Sequence, residues 1–183
     1  RVERLALEMS SIIGPVVFGH EAQTLEEVIG IRLREMGATL ATAESCTGGY
    51  LSHLITSVAG SSDYFMGGVV SYANQAKEHL LGVESEALRN HGAVSKEVVM
   101  QMARGAQLKF GTTYALATSG VAGPGGGSEE KPVGTVWIAT ATPDGVKAKK
   151  FNFGNSRQRN IRKAALMALD LLRKEIQKIS IIQ

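Results

Sequence analysis

Ala43-Glu44-Ser45-Cys46-Thr47-Gly48-Gly49 stands between the apolar run Ala38 to Ala43 and the apolar-periodic segment Tyr50 to Val58. A strand that stops at a small polar cluster and restarts as a helix lifts a hydroxyl and several backbone N–H groups to a sheet edge, because the first N–H groups of a helix have no partner inside it. Such a turn suits a nucleophile or an anion site. A second stretch of the same kind, Ser119-Gly120-Val121-Ala122-Gly123-Pro124-Gly125-Gly126-Gly127, directly follows the apolar run Tyr114 to Thr118. Two such loops in one domain predict a pocket.

Outward from these loops the chain alternates. Thr24 and Glu27 have capping-box spacing, and Leu25, Val28, Ile29 and Leu33 form a helical stripe that Gly37 ends. Leu40 to Ala43 reads as a buried strand, Gly49 to Val58 as a helix, Gly68 to Tyr72 as a strand, and Asn74 to Leu81 as a short helix closed by Gly82. Ser95 caps a helix through Leu108, and Tyr114 to Ser119 is another strand. Thr135 to Thr142 and Val146 to Phe153 flank the turn Pro143-Asp144-Gly145, a hairpin signal, and an amphipathic helix runs from about Arg157 to Ile179. This alternation predicts an α/β fold: a three-layer α/β/α sandwich whose mixed, mostly parallel sheet carries at least one antiparallel strand. In such sheets ligands bind outside the carboxyl ends of the strands, where both polar loops fall.

Residues 1 to 20 read differently, with Gly14-Pro15 interrupting short apolar runs, and are expected to be an arm left from a preceding domain; residues 21–183 form the main domain. An opening Arg1 in place of Met fits a fragment of a longer chain. At 183 residues, 44% hydrophobic and 20% charged, the composition is that of one soluble globular domain. A net charge of +3 with scattered Lys and Arg falls short of a nucleic-acid footprint. A single cysteine, Cys46, forms no intramolecular disulfide and, with four His, no zinc spacing, so no metal is expected and a reducing cytoplasm is the simplest location. No apolar run approaches the roughly 18 residues of a membrane span.

Ser45 is the first candidate nucleophile, and a serine needs a base within hydrogen-bond reach. None of the histidines follows a strand, which leaves a Ser-His-Asp triad unsupported. Lys77 is better placed: Tyr72 and Lys77 lie just beyond a strand end, and a lysine buried beside apolar groups loses its proton more readily. Position alone equally allows a solvated helix lysine. Cys46 reads as a thiol nucleophile or, more simply, as small buried filler. Glu44 could orient a base, bind a sugar hydroxyl or satisfy loop N–H groups. The glycine-rich loop can cradle a phosphate or an oxyanion with successive N–H groups, though it fits neither the Walker pattern nor the dinucleotide fingerprint, and it could equally be a flexible loop. Lys131 could bring a cation to the mouth, and Arg157, Arg159 and Arg162 are candidates for phosphate.

Taken together, Ala43 to Gly49, Ser71-Tyr72-Ala73-Asn74 with Lys77, Gly120 to Gly126 with Lys131-Pro132-Val133-Gly134, and the Gly154 to Arg162 run resemble the C-terminal domain family of the competence/damage-inducible protein CinA. The resemblance runs from about Leu25 to Leu172. It implies a three-layer α/β/α sandwich and, for members that are nicotinamide mononucleotide deamidases, hydrolysis of the nicotinamide carboxamide to nicotinic acid mononucleotide and ammonia without a cofactor. It further implies Ser45 as nucleophile, activated by Tyr72 and Lys77. Ser119 takes the place of the family's threonine, keeping a hydroxyl. Arg157 fills the arginine position before the last helix, with Arg159 as the other register.

The expected mechanism is an acyl-enzyme route. Backbone N–H groups near Thr47 and Gly48 hold the oxyanion, and Glu44, Ser119, Gly120, Gly123, Gly125, Gly126 and Arg157 contact the nucleotide. The rival reading is a non-catalytic mononucleotide-binding regulatory module. The expected partner is a small-molecule mononucleotide, with no nucleic acid and no membrane, and a homo-oligomer is expected from the apolar helix face and the N-terminal arm.

Overall fold

Thr24 begins a helix in the way its spacing to Glu27 requires. In the computed structural model, which describes residues 22–177 together with Ile12 and Gly14, Thr24 Oγ1 accepts from Glu27 N–H at 3.4 Å and the Glu27 carboxylate accepts from Thr24 N–H at 2.7 Å. That capped helix is α1 (Leu25–Glu35), followed by β1 (Leu40–Glu44), α2 (Tyr50–Thr56), a 3-10 turn (Ser61–Asp63), β2 (Phe65–Val70), α3 (Asn74–Leu81), α4 (Ser85–His91) and α5 (Lys96–Phe110). Then come β3 (Tyr114–Gly120), β4 (Thr135–Thr142), β5 (Gly145–Asn152) and α6 (Arg157–Ile176).

The strands form one sheet in the order β2-β1-β3-β4-β5. β1 pairs in parallel with both β2 and β3, while β4 runs antiparallel between β3 and β5, so four of the five strands point the same way. Alternation along each strand divides the core. Leu40, Leu116, Val136 and Ile138 point to one face and bury against α1, α2 and α6. Ala41, Ala43, Ala115, Ala117, Ala139 and Ala141 point to the other and pack against α3, α4 and α5. The two faces differ in kind. Bulky side chains build the first, each worth roughly 1.5–3 kcal/mol when fully buried; alanines on the second let α5 approach the sheet closely. Gly105 serves the same purpose at the next layer, since a Cβ there would run into the backbone of Leu81 at the end of α3.

The sandwich agrees with the sequence reading, and the differences are local. β2 starts and ends earlier than Gly68 to Tyr72, because its register to β1 runs from Phe65 opposite Leu40 to Val70 opposite Glu44. Ser71 makes one further rung, its N–H donating to Glu44 O at 2.8 Å, and Tyr72 has left the sheet. α2 begins at Tyr50, since Gly49 takes a left-handed φ of 98° as its N-cap. α4 went unread in the sequence; its seven residues carry too short a stripe, with only Ala87 and Leu88 buried. The arm expected over residues 1 to 20 lies outside the described residues apart from Ile12 and Gly14, as does the expected end of the last helix beyond residue 177.

Candidate active site

β1 ends with a carboxylate and a hydroxyl in sequence, and the fold gives them opposite tasks. Glu44 is fully buried, and its carboxylate accepts from the N–H groups of Gly49 (2.9 Å), Leu51 (3.0 Å) and Ser52 (2.7 Å) and from Ser52 Oγ (2.6 Å). It therefore caps α2 from within, a favourable place for a negative charge. Of the tasks that the sequence allowed Glu44, the geometry matches the satisfying of loop N–H groups: its oxygens face the amides of Gly49, Leu51 and Ser52 and the Ser52 hydroxyl.

Ser45 N–H donates to Thr118 O at 3.0 Å, which sets the serine against the end of β3. The turn then reverses through two left-handed glycines, Gly48 (φ 60°) and Gly49 (φ 98°). A Cβ on Gly48 would meet nothing within 4 Å, so this glycine is needed for its dihedral angles and not for space. Gly48 N–H donates to Ser45 O at 3.2 Å, which removes it from the expected oxyanion donors. Thr47 N–H remains without a partner among the described residues, and the Thr47 hydroxyl, buried, meets Thr118 Oγ1 at 2.7 Å.

Lys77 is only 1% exposed, and its Nζ stands 2.7 Å from Ser71 O, 3.1 Å from Tyr72 O and 3.2 Å from Ser45 Oγ. No salt bridge to a carboxylate accompanies it among the described residues. Burial pushes its pKa below the ordinary lysine value. Its three neighbours are oxygens: Nζ donates to the two carbonyls and to the Ser45 hydroxyl, and once deprotonated it keeps both carbonyl bonds and turns its lone pair to that hydroxyl, whose proton it can accept. The sequence alternative of a solvated helix lysine is thereby excluded. Cys46 is the filler that the simpler reading gave: it is buried, and burial pushes its thiol up to about 12, leaving no thiolate at neutral pH.

Tyr72 meets this pair through its backbone. Its carbonyl accepts from Lys77, while its hydroxyl, on a side chain 60% exposed, accepts from Arg157 Nη2 at 3.1 Å. Arg157 Nη1 also donates to Gly123 O at 2.9 Å, so the first residue of α6 joins the glycine-rich loop to Tyr72. Of the two arginine registers, this places Arg157 beside the site. Arg162 instead lines a separate apolar hollow of about 480 Å³ with Leu25, Tyr50, Leu54 and Met167, and this hollow carries none of the Ser45–Lys77 chemistry.

The loop residues divide similarly. Ser119 is buried and its hydroxyl donates to Ala93 O at 2.7 Å, so it anchors the segment before α5 and is not turned toward a ligand. Gly120 lies close to β4, where a Cβ would meet Thr135 O at 2.7 Å. Gly123 has a φ of 91°, and a Cβ there would stand only 2.5 Å from Val133 Cγ1, while Gly125 and Gly126 are exposed with room around them. Lys131 does not reach the mouth: its ammonium donates to His91 O at 2.6 Å, holding the end of α4. One residue escaped the sequence reading altogether. Asn160, buried one turn into α6, donates from Nδ2 to Ala122 O at 2.9 Å and Gly154 O at 2.7 Å, pinning the root of the glycine-rich loop. Its only signal was a polar residue three positions after Arg157, on the same helix face.

The chain that carries this site has relatives. Residues 22–176 match the family model of the CinA C-terminal domain. The chain belongs to the CinA C-terminal domain family. It is 49% identical over 176 residues to a CinA-like protein of Amoebophilus asiaticus, covering 96% of this chain and 42% of that protein. It is also 49% identical to a CinA-like protein of Cytophaga hutchinsonii, covering 89% and 39%. The chain thus spans about two fifths of the length of these curated relatives. Among solved structures, the competence/damage inducible protein CihA from Agrobacterium tumefaciens superimposes with a TM-score of 0.82 at 38% identity, covering 88% of this chain and 98% of that one. The competence damage-inducible protein A from Klebsiella pneumoniae does so with a TM-score of 0.82 at 34% identity, covering 85% and 97%. No helix among the described residues is long and apolar enough to cross a membrane.

Proposed function

We propose that this CinA-family domain is a nicotinamide mononucleotide deamidase, an amidohydrolase that releases ammonia from the nicotinamide carboxamide through an acyl-enzyme on Ser45. The observation that carries the reading is the contact of Lys77 Nζ with Ser45 Oγ at 3.2 Å, in a setting where burial lowers the pKa of the amine. As the Ser45 oxygen attacks the carboxamide carbon, its proton passes to Lys77. Thr47 N–H supports the oxyanion, a contact worth roughly 3–4 kcal/mol in comparable sites. Collapse of the tetrahedral intermediate breaks the C–N bond, the proton on Lys77 leaves with ammonia, and water then cleaves the ester to the acid. The nucleotide's phosphate pairs with Arg157 and the exposed N–H groups around Gly125 and Gly126, and this remote binding positions the reacting amide.

The test is product balance. Nicotinamide mononucleotide incubated with the protein is expected to yield one nicotinic acid mononucleotide per ammonia. Binding of the nucleotide with no ammonia released would replace this reading with the regulatory-module alternative.

A further inference from the structure

The contact between Tyr72 and Arg157 joins three segments far apart in sequence: the exit of β2, the glycine-rich loop and the start of α6. Its two halves differ. Arg157 Nη1 donates to the carbonyl of Gly123, a residue that is itself buried and whose neighbour Ala122 is pinned by Asn160. Arg157 Nη2 donates to the phenol of an exposed side chain. The guanidinium head is thus fixed on one side and exchangeable on the other. A phosphate carries the opposite charge and can take two parallel bonds from a guanidinium, where the phenol offers one neutral oxygen, so a phosphate displaces the phenol. The Tyr72 backbone cannot follow, because its carbonyl is held by Lys77 at 3.1 Å; only the ring turns, about its own side-chain bonds.

We propose that Arg157 is a latch on Tyr72: it holds the phenol against the glycine-rich loop until a mononucleotide phosphate replaces it, and the released ring closes over Ser45 and Lys77. Arg157 is then a positioning residue that converts phosphate recognition into turnover. The proposal rests on the deamidase reading for its substrate, and its test has an arm that does not.

In the kinetic arm the substrate is supplied in two pieces, nicotinamide riboside and inorganic phosphate. With wild-type protein, phosphate is expected to raise kcat for the riboside by about tenfold, and in Arg157→Gln the rise is expected to vanish. Phosphate acting only as a competitor of the mononucleotide, with the riboside kcat unmoved, would overturn the latch and leave Arg157 as a simple grip. In the second arm the protein is labelled on its tyrosine rings, which number four. The Tyr72 signal, assigned as the one missing from Tyr72→Phe, is expected to shift with inorganic phosphate in the wild type and not in Arg157→Gln. An unmoved signal in the wild type overturns the proposal. If the wild type releases no ammonia from the mononucleotide, the deamidase reading fails by itself, and the ring signal alone decides the latch.

Discussion

The floor of the site and its roof are built by opposite rules. In the floor, formed by the β1–α2 turn with the start of α3, Glu44 and Lys77 are buried and their hydrogen bonds end on backbone or on a neighbouring hydroxyl. The roof, made of Tyr72, the glycine-rich loop and Arg157, is largely exposed, and one guanidinium ties the loop at Gly123 to the Tyr72 phenol. A reacting serine needs fixed geometry, because small displacements cost large factors in rate. A surface that admits a ligand needs bonds that exchange. Substitutions in the floor should therefore cost chemistry or stability, and those in the roof should change how the ligand is used.

The largest break expected is in the floor: Ser45→Ala should lower ammonia release at least about a thousandfold while the nucleotide still binds, read by initial rates beside calorimetry. Lys77→Ala should lower kcat by about a hundredfold or more with KM little changed, since loss of a positioned base acts on the transition state; a pure rise in KM would make Lys77 a binding group. Glu44→Gln turns an amide against three backbone donors and should cost about 3 kcal/mol in denaturant unfolding. Asn160→Ala, at the joint between floor and roof, should cost about 1–2 kcal/mol and loosen the loop root, visible as faster amide exchange at Val121 and Gly134, whose N–H groups pair across that root. Cys46→Ala should be nearly silent in rate.

A pH series sharpens the same contrast. The folded pKa of Lys77 lies below its ordinary value of 10.5, so between the two values the unfolded chain binds more protons and stability rises with pH. The melting temperature of the wild type should therefore gain on that of Lys77→Met as the pH is raised from about 7 toward 10. A gap that narrows or stays constant would mean that Lys77 is protonated in the fold.

What the sequence disclosed follows the same division. Strand-to-helix transitions, caps and the hairpin are local signals, and Thr24, Ser95 and Ser45 stand where their neighbours require. The pairing of Ser45 with Lys77 was legible because both lie just past strand ends that a parallel sheet brings side by side. The task of Glu44 stood among its alternatives, since its donors follow within the next turn, but those of Ser119 and Lys131 were not legible, because each is decided by a partner that sequence distance conceals: Ala93 for Ser119 and His91 for Lys131. A polar residue beside a site announces only that it needs a partner. Asn160 was hidden for the same reason, its two carbonyl acceptors lying on separate loops.

Whether buried Lys77 is the base of Ser45 can be tested by covalent labelling without assuming a substrate. A small serine-reactive phosphonofluoridate would be followed by peptide mass as a function of pH, wild type beside Lys77→Ala. With Lys77 as the base, a single label on Ser45 is expected, at a rate that rises through one ionisation below 10.5 and falls about a hundredfold or more in the variant. Labelling on another residue, or a Lys77→Ala protein that reacts at Ser45 as fast as the wild type, would contradict it.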